Sequence, residues 1–457
     1  MLLRQFSVAE GSTILMVAFL ISAGLGVVRQ MLLNRQFGLN PTADAYHSAF
    51  RLPETIATLL TGGTLANAMI PVLLGVAYAR GSAAEQRLVN LVATTLLVVI
   101  TPLVLLGIAV APWFVDYVLA PGFNQPTRAL TALLTRILML ELLLVVVVSV
   151  ATAVLISRNQ FLLPGIAIAV HNLTLIIGIL VTMLFPQIGI FGPAIGAVCD
   201  ALLQLAILLP GLWWQNFRYR PVWNLHDADL REVIRLIIPN GLSSVVNYGG
   251  GIVDNRYASL AQEGSVTALY NAFLLIGVPT RLFGVAIGQA AFPRMATYVV
   301  ERNWRAVRRT ALWATTVALA LGAVTIAGLW LFGRLTIRIL FEGGEFDAAA
   351  GDLTFALLLA YALALPAAIA TEILTRGLIA LHDTRTPLLI NTGQLLARIG
   401  VITLLLPSAG VLAIPLGFTI TATLEALALG MALLIKLQRA EKRLEIDAPE
   451  PLTKQDE

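Results

Sequence analysis

Four ionisable side chains in one apolar stretch repeat at intervals of three and four residues: Asp44, His47, Arg51 and Glu54. In an α-helix this spacing places all four on a single stripe. An ionisable group inside a bilayer costs at least ~2.5 kcal/mol near its centre, so it faces a water-filled cavity or a partner. The stripe therefore predicts the wall of a binding cavity. The alternative is an internal Arg51–Glu54 ion pair, with Asp44 as a cap at the membrane interface.

Arg29 lies in the preceding apolar stretch, with no acidic residue within one helical turn. A guanidinium group stays protonated in proteins, so a buried one needs an anion. Its fork of donors suits a phosphate as well as a carboxylate. We therefore predict that Arg29, Asp44, Arg51 and Glu54 contribute to a substrate-binding site. The alternative for Arg29 is that its side chain extends to the outer face of the membrane.

Other ionisable residues are spread singly among the later apolar stretches. Asp254 offers hard oxygen ligands for a coupling cation, and this is the one metal site that we predict. Glu372 and Arg376 are spaced i,i+4 in the favourable order, which predicts a structural ion pair. Glu141 and His171 are lone polar groups, which are typical of helix packing. No residue is predicted to be catalytic.

The composition indicates the kind of protein that carries these groups. Of the 457 residues, 58% are hydrophobic and 12% are charged, against ~25% charged residues in soluble domains. Such a chain cannot cover its surface in water, which indicates an integral membrane protein. The single cysteine, Cys199, excludes a disulfide framework and a cysteine-based metal cluster. A membrane glycosyltransferase would need a large extramembrane loop with acidic residues, so no enzyme is expected.

The apolar stretches predict an all-α polytopic membrane protein with about twelve transmembrane helices. The first stretch is too long for the core of a cleavable signal peptide. Pro53 and Gly62-Gly63 predict a bend in the second helix. The predicted segments are 13–36, 44–79, 88–118, 128–157, 161–184, 189–214, 230–262, 266–300, 306–340, 350–381, 387–406 and 411–437.

Basic residues are distributed unequally between alternate loops. One side includes four arginines within 302–309, whereas the loops at 185–188 and 407–410 on the other side have none. Cytoplasmic loops carry the excess of Lys and Arg, so both termini are predicted to lie in the cytoplasm. The net charge of +4 is assigned to these loops, and no nucleic-acid partner is expected.

A weak internal repeat divides the chain into halves. The pair Ala49-Phe50 recurs 223 residues later as Ala272-Phe273. Each half has an even number of helices, so the two lobes should be related by a pseudo-twofold axis along the membrane normal, as in transporters whose lobes rock around a shared site. The predicted parts are an N-terminal six-helix lobe at 1–214, a cytoplasmic linker at 215–229, a C-terminal six-helix lobe at 230–437 and a polar, disordered cytoplasmic tail at 438–457.

Two stretches carry a family resemblance. The first runs from Phe37-Gly38 through Thr42-Ala43-Asp44-Ala45 to Ala49-Phe50-Arg51-Leu52-Pro53. The second is Arg376-Gly377 followed by Ala380-Leu381-His382-Asp383-Thr384-Arg385-Thr386-Pro387. These residues resemble the MurJ (MviN) family of lipid II flippases, within the multidrug/oligosaccharidyl-lipid/polysaccharide exporter superfamily.

The resemblance implies that the chain carries a polyprenyl-pyrophosphate-linked peptidoglycan precursor, lipid II, from the inner to the outer leaflet of the bacterial cytoplasmic membrane. It also implies a cationic cavity for the pyrophosphate, with Arg29 and Asp44 at functional positions. Leu274 stands where the family usually has an arginine. Arg281 lies seven residues later, about 10 Å along the same face of the helix, and is predicted to supply that charge instead. The alternative for Arg281 is contact with lipid headgroups or an acidic neighbour.

Other functions stay open on the sequence. Ala23, Gln30 and Ala57 stand where lipid II flippases usually have charged residues, so a flippase for another lipid-linked oligosaccharide is an alternative. A multidrug exporter of the same superfamily is a second, although Arg29 without a carboxylate beyond Glu10 in its helix favours an anionic substrate. A scaffold without transport is a third. We expect a monomer in contact with membrane lipids, without a cofactor, coupled to a monovalent cation or to the membrane potential.

Overall fold

The structure is a computed structural model that describes residues 6–60 and 64–446. Within these residues the regular elements are helices, so the predicted all-α class is confirmed. The first half contains Val8–Phe37 (α1), Pro41–Ala49 (α2a), Arg51–Leu60 (α2b), Thr64–Arg80 (α2c), Ser82–Phe114 (α3), Gln125–Ser157 (α4), Leu162–Val170 (α5a), Leu173–Leu184 (α5b) and Phe191–Trp214 (α6). The second half contains Ala228–Ser259 (α7), Ser265–Pro279 (α8a), Ala286–Val300 (α8b), Trp304–Leu340 (α9), Ala348–Ala362 (α10a), Leu365–Ala380 (α10b), Arg385–Ala409 (α11) and Ala413–Ile446 (α12).

These helices occupy the twelve segments predicted from the sequence, within the part of the chain that the structure describes. Among the described residues, eight stretches are long and apolar enough to cross a membrane, or nine if the pair α10a and α10b, bent by 45°, is one span. The stretch Arg385–Lys442 counts once among them although it contains α11 and α12. The broken helix α2 and helix α7 are not among these stretches. The chain is a multi-pass membrane protein.

Two of the predicted helices are broken at a fixed distance before a proline. Helix α2a ends at Ala49, four residues before Pro53, and α10a ends at Ala362, four residues before Pro366. A proline ring clashes with the carbonyl group of the residue four positions earlier and removes one backbone donor. The bend predicted near Pro53 is therefore confirmed, whereas the unbroken tenth helix is wrong. Gly62-Gly63, the second predicted break in α2, lies outside the described residues.

The chain forms two compact units, Met1–Tyr270 with Thr336–Asp352 and Asn271–Leu335 with Leu353–Glu457. In the first unit, Leu230, Val233 and Ile237 of α7 are buried in the same apolar core as residues of α2c, α3 and α4. In the second unit, the main core combines α8b, α9, α10b and α12. Helix α7 thus packs with the first half of the chain. The predicted lobes at 1–214 and 230–437 have bounds that differ from those of the two compact units, and the division into these lobes stays a prediction.

The turn between α10b and α11 is held by Asp383. Its Oδ1 accepts hydrogen bonds from the backbone N–H groups of Arg385 and Thr386, and its Oδ2 lies 2.6 Å from Nζ of Lys436 on α12. Burial opposes the charged form, but the contacts with Lys436 and Thr386 outweigh it and lower the pKa of Asp383 to about 2. Helix α12 continues to Ile446, so a tail disordered from residue 438 is wrong. Residues 447–457 lie outside the described residues.

Single cysteines test the predicted orientation. The native Cys199 is exposed, so the background is Cys199→Ser. Ser82→Cys and Arg305→Cys, at the starts of α3 and α9, should react with a membrane-impermeant thiol reagent only from the cytoplasmic side, because basic loops stay inside. Asn124→Cys, just before α4, should react only from outside. Labelling of all three from one side would contradict the twelve-helix topology.

Candidate functional site

The first compact unit contains a cavity of about 200 Å³ among its apolar helices. At about 30 Å³ per water molecule, this volume holds roughly six waters or one compact charged group. Residues from α1, α2a, α2b, α4, α5b, α6 and α8a build the wall, together with the helix breaks at Phe50 and His171. The polar lining residues are Arg29, Tyr46, His47, Arg51, Glu54, Glu141, His171 and Tyr270.

Arg29 projects from α1 into this wall. One of its terminal nitrogens, Nη2, donates a hydrogen bond to the hydroxyl group of Tyr270 at 3.2 Å. In the described part of the chain, Arg29 forms no ion pair with a carboxylate. A guanidinium group has five N–H donors, so most of them remain available for another acceptor. The structure therefore presents a half-buried cation that can bind an anion inside the cavity.

Arg51 and Glu54 lie one turn apart on α2b, and both line the cavity. Nη1 of Arg51 is 3.7 Å from Oε2 of Glu54, which is an ion pair but too long for a good hydrogen bond. An Arg51–Glu54 ion pair was the alternative interpretation of their spacing in the sequence. Because its geometry is loose, the Arg51 guanidinium is not committed to Glu54. The structure brings Arg29, Arg51 and Glu54 together, and their contact with a substrate stays a prediction.

Asp44 is a predicted site residue that does not line the cavity. It is 2% exposed and accepts hydrogen bonds from the backbone N–H groups of Gly264 at 2.7 Å and Thr267 at 2.8 Å. The Thr267 hydroxyl donates a third bond at 2.7 Å. The carboxylate thus caps the N-terminus of α8a, where unpaired N–H groups and the helix dipole favour a negative charge. Asp44 holds α2a to the start of α8a.

The repeat connects two contacts between α2a and α8a. Asp44 and Thr267 are 223 residues apart, and so are His47 and Tyr270. Asp44 bonds to Thr267, and the ring of His47 stacks on that of Tyr270 with centroids 4.1 Å apart. Equivalent positions contact each other where they lie near a twofold axis. The offset found in the sequence was therefore sufficient to propose Thr267 and Tyr270, which sequence reasoning missed.

A second set of polar residues at the cavity comes from α4, from the break in α5 and from α6. Nδ1 of His171, at the break between α5a and α5b, lies 2.6 Å from Oδ2 of Asp200 on α6. The same Oδ2 accepts a hydrogen bond from Gln204 at 2.7 Å. Glu141 of α4 lines the cavity, and none of the described residues donates a hydrogen bond to it or forms an ion pair with it. The sequence marked Glu141 and His171 as packing contacts, but both face the site.

Comparison with known proteins decides the family. A family model described as "Lipid II flippase MurJ" matches residues 33–447. This chain belongs to that family. The lipid II flippase MurJ of Burkholderia cenocepacia is 27% identical over 383 residues, covering 82% of this chain and 74% of that protein. A probable lipid II flippase MurJ of Vibrio cholerae is 28% identical over 381 residues, covering 80% and 72%.

Solved structures agree with this MurJ-family fold. A lipid II flippase MurJ in an inward closed conformation has a TM-score of 0.77 at 20% identity, covering 96% of this chain and 93% of that chain. An inward-facing multidrug resistance MATE family transporter of the MOP superfamily has a TM-score of 0.75 at 15% identity, covering 93% and 95%. At such identities the likeness concerns the fold alone, and it confirms the transporter fold implied by the sequence.

Arg281 lies in the second compact unit of this MurJ-family chain. A π-helical turn over Thr280–Val285 follows Pro279 and joins α8a to α8b. The seven-residue step from Leu274 to Arg281 therefore ends in π-helical residues, and the same-face geometry of the two side chains stays a prediction. The Arg281 side chain is exposed and forms no ion pair among the described residues. Its substrate contact stays a prediction.

Substitution of Arg281 tests that prediction. We expect Arg281→Leu to stop transport if the guanidinium binds the pyrophosphate. Leu274 is uncharged, so Arg281 would then be the residue that replaces the arginine usual in the family. Adding Leu274→Arg should then restore part of the activity. Both variants are measured by appearance of a labelled lipid-linked saccharide at the outer leaflet of proteoliposomes. Normal transport by Arg281→Leu would show that Arg281 contacts only lipid headgroups or water.

Two further predicted groups have different outcomes. Nη1 of Arg376 lies 2.7 Å from Oε2 of Glu372, so the predicted structural ion pair is confirmed. Asp254 is half-buried on α7. Across residues 6–60 and 64–446, no group of three or more His, Cys, Asp or Glu side chains is arranged to hold a metal ion. A cation at Asp254 would need ligands of other kinds, and it stays a prediction.

Proposed function

We propose that this chain moves lipid II, a polyprenyl-pyrophosphate-linked saccharide, from the inner to the outer leaflet of the bacterial cytoplasmic membrane by alternating access. Membership of the lipid II flippase MurJ family supports the substrate. The observation that carries the proposal is Arg29, a cation on a cavity wall among apolar helices with no ion pair in the described part of the chain. Such a charge is costly in a membrane unless an anion binds there.

The proposed contact is between the pyrophosphate and the two guanidinium groups. Arg29 offers a fork of N–H donors that matches two phosphate oxygens. Arg51 can turn from its loose 3.7 Å contact with Glu54 towards the same anion. A cavity of about 200 Å³ accommodates a compact charged group rather than a whole glycolipid. The saccharide and the polyprenyl tail would therefore extend beyond this cavity, with the tail among membrane lipids.

The proposed work is binding and release without covalent chemistry, so it requires neither catalytic residues nor a cofactor. The pyrophosphate carries negative charge outward across a membrane that is negative inside. The membrane potential favours this movement by about 2.3 kcal/mol per charge per 100 mV. We propose that the potential or a monovalent cation drives the cycle. The proposal includes a monomer whose termini both lie in the cytoplasm.

Complementation tests the proposed function. The chain is expressed in a bacterium whose own lipid II flippase can be depleted, and growth and cell shape are followed after depletion. We expect rescue by the wild-type chain and none by an equally expressed Arg29→Ala variant. If the wild-type chain reaches the membrane and gives no rescue, lipid II is not its substrate. Transport assays with other polyprenyl-linked oligosaccharides would then identify the glycan.

A further inference from the structure

The cavity that holds Arg29 is not positively charged overall. Arg29 and Arg51 contribute two positive charges, whereas Glu54, Glu141 and the adjoining Asp200 contribute three negative charges when ionised. With both imidazole groups neutral, the net charge is −1. An anion entering this site meets more negative than positive charge. Binding therefore favours any state in which the wall has taken up protons.

Glu141 is the carboxyl group best placed to take up such a proton. It lines the cavity, and within residues 6–60 and 64–446 it has no hydrogen-bond donor and no ion-pair partner. Its electrostatic neighbours include Asp200 and Glu54, which carry the same charge. Glu54, in contrast, lies 3.7 Å from Arg51, so a proton on Glu54 would weaken an existing ion pair. A proton on Glu141 would remove a repulsive charge without breaking an existing contact.

The His171–Asp200 pair is a second place for a proton. Asp200 is 1% exposed, and its Oδ1 has no hydrogen-bond partner among the described residues. Its Oδ2 lies 2.6 Å from Nδ1 of His171, and His171 lines the cavity. An imidazole ring can bind a second proton, and an adjacent carboxylate stabilises the resulting positive charge. Protonation here would add a positive charge to the wall.

The other groups around Glu141 cannot take this role as readily. Arg29 of α1 and Arg51 of α2b are already protonated. His47 of α2a is 4% exposed and stacks on Tyr270 of α8a. Tyr46 and Tyr270 also line the wall, and a phenol group is neither a carboxylate nor an imidazole that could accept the proton. Glu141, His171 and Asp200 are therefore the groups at this wall that can most readily accept a proton.

We infer that binding of the pyrophosphate in this cavity is coupled to uptake of a proton from water by Glu141, with the His171–Asp200 pair as the second acceptor. This inference rests on the proposed function, because the anion is the pyrophosphate of the lipid-linked substrate. The proton binds to a carboxylate oxygen of Glu141 and neutralises it. The affinity for the anion then rises as the pH falls.

Calorimetric binding of short-chain lipid II to the purified full chain tests the inference. Each phosphate of this probe has one ester bond and one shared anhydride bond, so its single acidic oxygen stays ionised over the range used. We expect the wild-type Kd to rise roughly tenfold or more between about pH 6 and pH 8, as linkage to one proton allows. Titrations in two buffers of different protonation enthalpy should show net proton uptake on binding. This measurement of proton uptake uses the wild-type protein alone.

The variants make the assignment specific. Glu141→Gln should bind the probe at high pH about as tightly as the wild type does at low pH, and its pH dependence should be much weaker. Adding His171→Gln to Glu141→Gln should remove part of the pH dependence of binding that remains. Glu372→Gln is the matched control, a membrane carboxyl group outside the cavity, and should keep the wild-type pH dependence.

The outcomes separate the two proposals. Wild-type binding without proton uptake, or an unchanged pH dependence in Glu141→Gln, overturns the inference and leaves the proposed function intact. Absence of probe binding at every pH overturns the proposed function and the inference with it. Tight binding by Glu141→Gln at high pH, accompanied by proton uptake in the wild type, supports the inference.

Discussion

Arg29→Ala should abolish lipid II transport while the protein still reaches the membrane. A hydrogen bond to a charged group contributes about 1.5–3 kcal/mol, so loss of a forked contact should weaken substrate binding about 100-fold at ~1.4 kcal/mol per tenfold. The structural loss is small, because among the described residues Arg29 forms one hydrogen bond, to Tyr270 at 3.2 Å. Binding of short-chain lipid II and transport in proteoliposomes measure the effect.

Arg29→Lys tests whether charge alone is sufficient, and Arg338→Ala is the control. Lysine keeps the charge but cannot reproduce the planar fork, so Arg29→Lys should recover only part of the affinity. Arg338 is an exposed arginine near the end of α9, and Arg338→Ala should bind and transport normally. Wild-type transport by Arg29→Ala would remove Arg29 from the site, and with it the main structural support for an anionic substrate.

Asp44→Ala should destabilise the fold by about 3 kcal/mol, because it leaves two buried backbone N–H groups without an acceptor. These groups belong to Gly264 and Thr267 at the start of α8a. Asp44→Asn keeps one acceptor oxygen and should cost about 1 kcal/mol, close to the loss of a typical hydrogen bond. Thermal unfolding of the purified protein in one detergent, with lipid II absent, measures these differences.

Thr267→Val separates the cap from a direct substrate contact. It removes only the hydroxyl bond to Asp44, at 2.7 Å, and leaves the backbone bond in place. It should therefore lower the unfolding temperature less than Asp44→Ala does. If Asp44→Ala unfolds like the wild type but no longer binds lipid II, the carboxylate contacts the substrate in another conformation, and the capping role is not its main one.

Together these substitutions distinguish two kinds of residue that the sequence grouped on one stripe. Arg51 and Glu54 line the cavity, whereas Asp44 is bonded to the N-terminus of α8a. Changes at the cavity should alter binding more than unfolding. Changes at the cap should alter unfolding first. Sequence spacing could not make this distinction, because it describes one helix without its neighbours.

Local features of the sequence were enough to determine the helices and several of their breaks. Apolar stretches of membrane-spanning length predicted all twelve helical segments, since backbone groups in lipid must be paired within a helix. Pro53 predicted the break after Ala49, four residues earlier, whereas the equivalent break before Pro366 was not predicted. The Glu372–Arg376 pair followed from i,i+4 spacing. Each of these depends on residues close together in the chain.

Only the tertiary structure decided which polar groups share the cavity. Glu141 and His171 are far in sequence from Arg29, which was predicted to bind the substrate, and both were interpreted as lone packing contacts. The Asp44 carboxylate meets N–H groups more than 200 residues away. The repeat offset of 223 residues was the one feature of the sequence that linked such distant positions. The physical reason is that helix formation depends on near neighbours, whereas the charge balance of a cavity depends on how separate helices pack and on which buried groups find partners.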